Sequence, residues 1–453
     1  MEWSQLLSKK RVSHQGQVHE SAEESGRSAF ERDRDRTLFS TAFRRMHDKT
    51  QVFPLPEDDV VHSRLTHSLE VSSVGRSLGK IVGKAIAGQT PHLDAHDFGD
   101  VVAAACLAHD IGNPPFGHAG EDAIGAFFRS PAAATAAATL TPANLAEFQA
   151  FEGNAQGFRV LVRLQHESDG GMQLTAATLA AFSKYPRGSD PSLKVPGRVS
   201  TKKHGFFGAD EEIFAVVAAE TGLCPRNSES GGRGWCRHPL AFLVEAADDI
   251  CYSILDIEDG VRLRLVEQKE AEARFSALAA KLSGFSMARL ESIADARGRM
   301  GYLRAMAIGA MINESSATFL ENERAILAGT FEVSLADAIP SRQELKSLQQ
   351  LARERCYRST EVIEIELAGY EALGGLLEHF VPAAITDLAQ RGSRLEREQK
   401  ALALLQGRGV GLESPLVYER LLRVADYVSG MTDRHALASY RRLKGIAIPG
   451  RAG

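Results

Sequence analysis

The stretch HPLAFLVEAADDICYSILDIEDG, from His238 to Gly260, constrains this chain more than any other. Phe242, Leu243, Val244, Ile250, Ile254 and Leu255 recur at helical spacing, and Pro239 suits the first helical position. A helix this apolar has to be covered by other parts of the chain. Yet Asp248, Tyr252 and Asp256 stand at i, i+4 and i+8, within about 80° of one another around an ideal helix. Carboxylates on the covered side would cost several kcal/mol unless paired or bound to a metal. A solvated acidic stripe is the plainer reading, but Ala246, Ala247 and Cys251 flank the acids with small residues unlike a surface.

The rest of the chain reads as helix joined by loops. Apolar residues from Leu65 to about Val82 recur three to five apart, and a second helix runs roughly Phe98–Asp110. Pro114-Pro115 forbids its continuation. Ala119–Phe128 predicts a short third helix, and Asn144–Gln165 returns to helical periodicity. The alanine-rich SPAAATAAATLTPA reads as a tolerated insertion. From His166 to Gly208 glycine, proline, serine and lysine predict an irregular excursion with a short helix at Thr175–Lys184 and a small β-hairpin. RNSESGGRGW reads as a surface loop, and helices rich in Leu, Ala, Glu and Arg continue to about residue 445. The expectation is an all-α fold: a flexible segment over 1–30, a helical core with insertions over 31–265, and a C-terminal helical region over 266–453 packing on that core.

Composition excludes several functions. The 453 residues carry a net charge of −5, so no global basic field draws the chain to nucleic acid or membrane. No run approaches the roughly 20 apolar residues of a membrane span. The five cysteines are odd in number and scattered without a CxxC, which argues against a disulfide framework or zinc ribbon and fits a reducing cytoplasm.

Two more segments carry metal-capable side chains. His109-Asp110 lies where a helix must stop; neighbours on a helix point about 100° apart, so both reach one ion only where the backbone relaxes. Imidazole plus carboxylate suits Mg, Mn, Fe or Zn. Alone, the dipeptide is weak evidence, and a pair that merely hydrogen-bonds a helix terminus is the plainer reading. In HSRLTHSLEV, Arg64 and His67 share a helical face at i and i+3, as a metal-bound imidazole beside an anion-gripping guanidinium would, or as a solvated arginine beside a half-buried histidine.

The order His, His-Asp, Asp, together with RDRDR, FRRM, KTQVF, HDIGNPPFGHAGE, FEGNAQ, KYP, KKHGFF, EAADDICY and GMTDR, resembles the HD-domain metal-dependent phosphohydrolases, and closely the bacterial deoxyguanosine triphosphate triphosphohydrolase-like family. These words extend from about residue 32 to 435. The resemblance implies that His67, His109, Asp110 and Asp248 hold a divalent metal, Mg or Mn first. His118 and Glu121 would form the catalytic pair, with Glu121 polarising His118. It further implies that Arg64, Lys184, Tyr185 and Lys203 meet a triphosphate, and that Gln51 and Asp256 contact a sugar 3′-hydroxyl. Tyr252 would stack near C2′, and Asn154 would face the pocket. The implied reaction converts a deoxynucleoside triphosphate to deoxynucleoside and tripolyphosphate. The family forms ring-like or hexameric homo-oligomers, so a homo-oligomer is expected. Alternatives are an HD-type phosphatase or phosphodiesterase on another nucleotide, or a nucleotide-gated protein whose partner is single-stranded nucleic acid.

Overall fold

A computed structural model describes residues 1–21, 26–53, 61–90, 92–165, 170–385 and 396–446. Among them the only sheet is two short antiparallel strands, β1 (Arg11–Val12) and β2 (Val18–His19). The fold is all-α. The helices that build and surround the site are α1 (Trp3–Leu6), α2 (Ala29–Leu38), α3 (Arg64–Ala87), α4 (Ala95–Ala108), α5 (Gly117–Arg129), α6 (Gly153–Arg159), α7 (Pro239–Arg262), α8 (Ala296–Glu321), α9 (Arg342–Arg355), α10 (Thr360–Ile385), α11 (Val417–Ser429) and α12 (Asp433–Leu443).

The pairing of α3 with α4 is the frame of the molecule. Ser63 caps α3, its hydroxyl accepting from the Thr66 amide while Thr66 reaches back to the Ser63 amide. Gly79 then faces Gly99: a Cβ at Gly79 would lie 2.7 Å from the Phe98 carbonyl oxygen and 2.8 Å from the Gly99 Cα. The two backbones approach this closely only because neither residue has a side chain. The acid-bearing helix α7 lies across both and is buried along most of its length. Helices α8 and α9 cover it from the C-terminal half. A second apolar cluster joins α5 to α10, α11 and α12, with Phe128 stacked on Phe148 at 4.6 Å between ring centroids. Both clusters mix residues from before and after position 265, so the C-terminal helices share the core they cover.

Two expectations need correction. The segment 1–30 is not loose over its described part: Trp3, Leu6, Leu7 and Val12 are buried, Trp3 packs on Phe98 at 4.9 Å, and its indole donates to Glu323. Residues 22–25 lie outside the described residues. The β-hairpin expected within 166–208 is absent among the described residues, where short 3-10 turns such as Pro191–Leu193 and Val199–Thr201 follow α-helix Ala176–Phe182; residues 166–169 lie outside the description. Arg187 bridges instead to Gly234, and among the described residues the only hairpin is β1–β2. The alanine-rich stretch docks on the core, with Ala133 and Ala136 buried and lying against α10.

Candidate metal centre and catalytic cavity

Helix α4 stops at Ala108 and leaves His109 as its C-cap, the helix end that Pro114-Pro115 demands. The His109 Nδ1 lies 2.7 Å from the Cys106 carbonyl oxygen. A carbonyl only accepts, so Nδ1 carries the proton and Nε2 presents a lone pair. That Nε2 is buried with no hydrogen-bond partner. It lies 3.4 Å from Asp248 Oδ1, and His67 Nε2 lies 3.2 Å from the same oxygen. Ligands at about 2.1 Å from one cation stand about 3 Å apart, so this spacing suits an ion.

The three ligand atoms, one each from His67, His109 and Asp248, all lie within 4.8 Å of one another. Asp110 stands at the edge, its Oδ1 3.5 Å from His109 Nε2. Asn113 Nδ2 donates to that oxygen at 2.6 Å, and Arg64 donates to Oδ2 at 2.6 Å. Two imidazoles with one or two carboxylates and an unsatisfied buried nitrogen form a donor set that fits a divalent metal.

Electrostatics keep the carboxylates ionised. Burial opposes the Asp248 charge, but Lys184, 2.6 Å from Oδ2, and the imidazoles outweigh it and hold its pKa well below the usual range. Asp110 is lowered likewise, burial being overcome by His109 and Arg64. Burial disfavours the charged form of Lys184, yet Asp248 raises its pKa.

Beside the cluster opens a cavity of about 410 Å³ that Asp110 and Asp248 both line. Of the residues singled out from the sequence, Gln51, Arg64, His118, Tyr252 and Asp256 also line it. Gln51 Oε1 is buried there without a partner, and Asp256 accepts from Tyr357 at 2.6 Å. Burial pushes Asp256 up to about 7. His118 is exposed to the cavity. A larger cavity of about 700 Å³ opens beside Ile111 and Gly112 but includes none of the cluster residues.

Other expected placements differ. The polar partners of Glu121 are not His118: its Oε1 accepts the Gly153 amide at 2.6 Å, and its Oε2 lies 3.3 Å from Lys203. Lys203 is also 2.8 Å from Glu152, so two carboxylates already neutralise it. Glu152, missed in the sequence, is pushed up to about 7 by burial and by Glu121 against the pull of Lys203. Lys184 faces Asp248, and half-buried Tyr185, Lys203 and Asn154 (second residue of α6) are not among the residues lining the cavity. Arg64 serves Asp110 first, although its Nε is buried and unpartnered. The sequence reading also missed Tyr357, Val362, Ile365 and Glu366, which close the cavity from the C-terminal half, and Gln349, which donates to the Tyr252 hydroxyl.

Comparisons with known proteins agree with this geometry. The HD domain model matches residues 64–181, and a phosphohydrolase-associated domain matches residues 339–442. A Synechocystis protein named deoxyguanosinetriphosphate triphosphohydrolase-like protein is 42% identical across 99% of this chain and 100% of its own length. The chain belongs to the deoxyguanosinetriphosphate triphosphohydrolase-like family. A family member from Pseudomonas aeruginosa is 38% identical over 99% of the chain and all of its own length. A Salmonella arizonae protein named deoxyguanosinetriphosphate triphosphohydrolase is 32% identical over 92% of the chain and 94% of its own length. Membership makes this chain a metal-dependent phosphohydrolase. No helix among the described residues is long and apolar enough to cross a membrane.

Proposed function

We propose that this family member hydrolyses deoxynucleoside triphosphates at the α-phosphorus, releasing deoxynucleoside and intact tripolyphosphate. One observation carries the reading: the His67–His109–Asp248 cluster adjoins a cavity that Arg64, His118, Gln51, Tyr252 and Asp256 line together. A bare phosphatase needs no such set.

His67, His109 and Asp248, with Asp110 at their edge, would hold the ion, Mg or Mn by donor chemistry. When bound, a divalent cation supplies Lewis-acid polarisation of the α-phosphoryl group. Arg64, whose guanidinium already pairs with Asp110, turns its remaining donors to phosphate oxygens. Water adds its oxygen to the α-phosphorus, the bond from phosphorus to O5′ breaks, His118 delivers a proton to O5′, and the proton that the water gives up restores the His118 imidazolium. Gln51, through its unpaired Oε1, and Asp256, held by Tyr357, accept from sugar hydroxyl groups. Tyr252, tied down by Gln349, forms a wall beside C2′ that a ribose would strike. Glu121 and Glu152 hold Lys203 ready to exchange toward a polyphosphate.

The family reading extends to assembly and location. Ile363, Leu367 and Tyr370 expose an apolar stripe along α10, which supports a homo-oligomer. A cytoplasmic site of action is consistent with five free cysteines.

The test is incubation with each deoxynucleotide, singly and mixed, with Mg or Mn, followed by product separation. Tripolyphosphate is expected, lost in His109→Ala and slowed about 10²–10⁴-fold in His118→Ala. Release of orthophosphate instead would reject the reading.

A further inference from the structure

Three segments far apart in the chain meet at one buried carboxylate outside the metal cluster. Asp433, 1% exposed, accepts the Phe116 amide on Oδ1 at 3.0 Å. Its Oδ2 accepts the Thr50 amide at 2.8 Å and the Thr50 hydroxyl at 2.5 Å. Lys49 repeats the connection one residue earlier, donating from Nζ to the Asn113 carbonyl at 2.6 Å and to the Ser429 carbonyl at 2.9 Å.

The position of Asp433 invites a simpler explanation as a helix cap, and the hydrogen bonds rule it out. Thr432 is the N-cap of α12, its hydroxyl accepting from His435. The bonds Asp433 makes run to other segments. Those segments immediately precede His118 and Gln51. Phe116 is left-handed, φ 63° and ψ 16°, and Gly117 follows at φ 58°. A phenylalanine adopts that conformation only where its surroundings impose it. Two contacts do so here. The Phe116 ring lies over Gly369 of α10, where a Cβ would meet it at 2.8 Å, and the Phe116 amide is held by Asp433. Both come from the C-terminal half of the chain.

We infer that Asp433 is a positioning residue for the reaction: it sets the left-handed turn that presents His118 to the cavity and fixes the strand of chain carrying Gln51. The inference rests on the role given to His118 above. It makes the phosphohydrolase-associated region, which matches residues 339–442, a working part of the catalytic cavity. Asp433 belongs neither to the lining of the cavity nor to the metal-capable cluster; it acts through Phe116 and Thr50.

The experiment uses the full chain and the substitutions Asp433→Ala and Asp433→Asn. The asparagine keeps one acceptor oxygen and the native shape, so it carries the test if the alanine variant fails to fold. Asp433→Ala should lower kcat at least about tenfold. Manganese affinity by calorimetry should stay within about twofold of wild type, because no ligand is disturbed. Asp433→Asn should fall between. In a His118→Ala background, Asp433→Ala should cost clearly less than it does in wild type, the remainder being the part that acts through Thr50 and Gln51. A full additional loss in that background, an unchanged kcat, or a manganese affinity falling in step with kcat would overturn the inference. A second readout separates it from the functional proposal. Histidine ring resonances, recorded with magnesium, should shift for His118 and not for His67 or His109 in Asp433→Asn. If the wild-type protein hydrolyses no deoxynucleotide, the functional proposal fails. The positioning claim then stands or falls on that spectrum, and an unmoved His118 signal rejects it.

Discussion

Replacing Gly79 by alanine sets two effects of known size against each other. Alanine in a helix interior is favoured over glycine by about 1 kcal/mol, so propensity alone predicts stabilisation. At Gly79, however, the new Cβ would stand 2.7 Å from the Phe98 carbonyl oxygen, 2.8 Å from the Gly99 Cα and 3.0 Å from the Gly99 nitrogen. All three are main-chain atoms of α4, so no rotamer change relieves the contact. Comfortable carbon contacts lie at about 3.5–4.0 Å, which requires the helices to part by nearly an ångström. Overpacking of this kind costs about 1–3 kcal/mol, enough to reverse the sign. We expect Gly79→Ala to lose about 1 kcal/mol net, and Gly79→Val more, since it lacks the propensity gain. Gly301 is the control: it lies in α8 with nothing within 4 Å of a Cβ, so Gly301→Ala should stabilise. Thermal melts of both variants read the difference. Because α3 carries His67 and α4 delivers His109, Gly79→Ala should also weaken manganese binding in calorimetry while Gly301→Ala leaves it unchanged. A melting temperature that rises in both variants, with equal manganese affinity, would refute the claim that this close crossing sets the site.

Two further perturbations probe the cavity wall and the second core. Burial raises the Asp256 carboxyl to about 7, above its unfolded value, so the native state binds the extra proton between the two. Stability from this group is complete below the unfolded pKa and is lost as pH rises through 7. The melting temperature of wild type relative to Asp256→Asn should therefore fall from pH 5 to pH 8, and a flat difference would contradict the assignment. Phe128 is buried against Phe148 in the cluster that ties α5 to α10, so Phe128→Ala should cost about 3–5 kcal/mol in denaturant unfolding.

The sequence showed most clearly what local rules govern. Pro114-Pro115 had to end a helix, and α4 stops at Ala108 with His109 at its cap. The pattern from His238 to Gly260 became α7, whose acids lie among apolar helices as their small flanking residues implied. Partner choice was not legible in the same way. Nothing local distinguishes a Lys203 that meets phosphate from one held by Glu121 and Glu152, because their pairing depends on how α5 packs beside α6. Glu366 belongs to the amphipathic helix α10 and Tyr357 to the turn between α9 and α10, and both become cavity residues only through the way α9 covers α7 and α10 packs on α5. The four-residue helix α1 is too short for periodicity to register, so the burial of Trp3 and Leu6 went unread.

Crystals grown with manganese test the central claim most directly, through anomalous scattering at the manganese edge. The account predicts a single strong peak about 2.1 Å from His67 Nε2, His109 Nε2 and Asp248 Oδ1, absent in His109→Ala. An ordered site without such a peak, or a peak held by other residues, would contradict it.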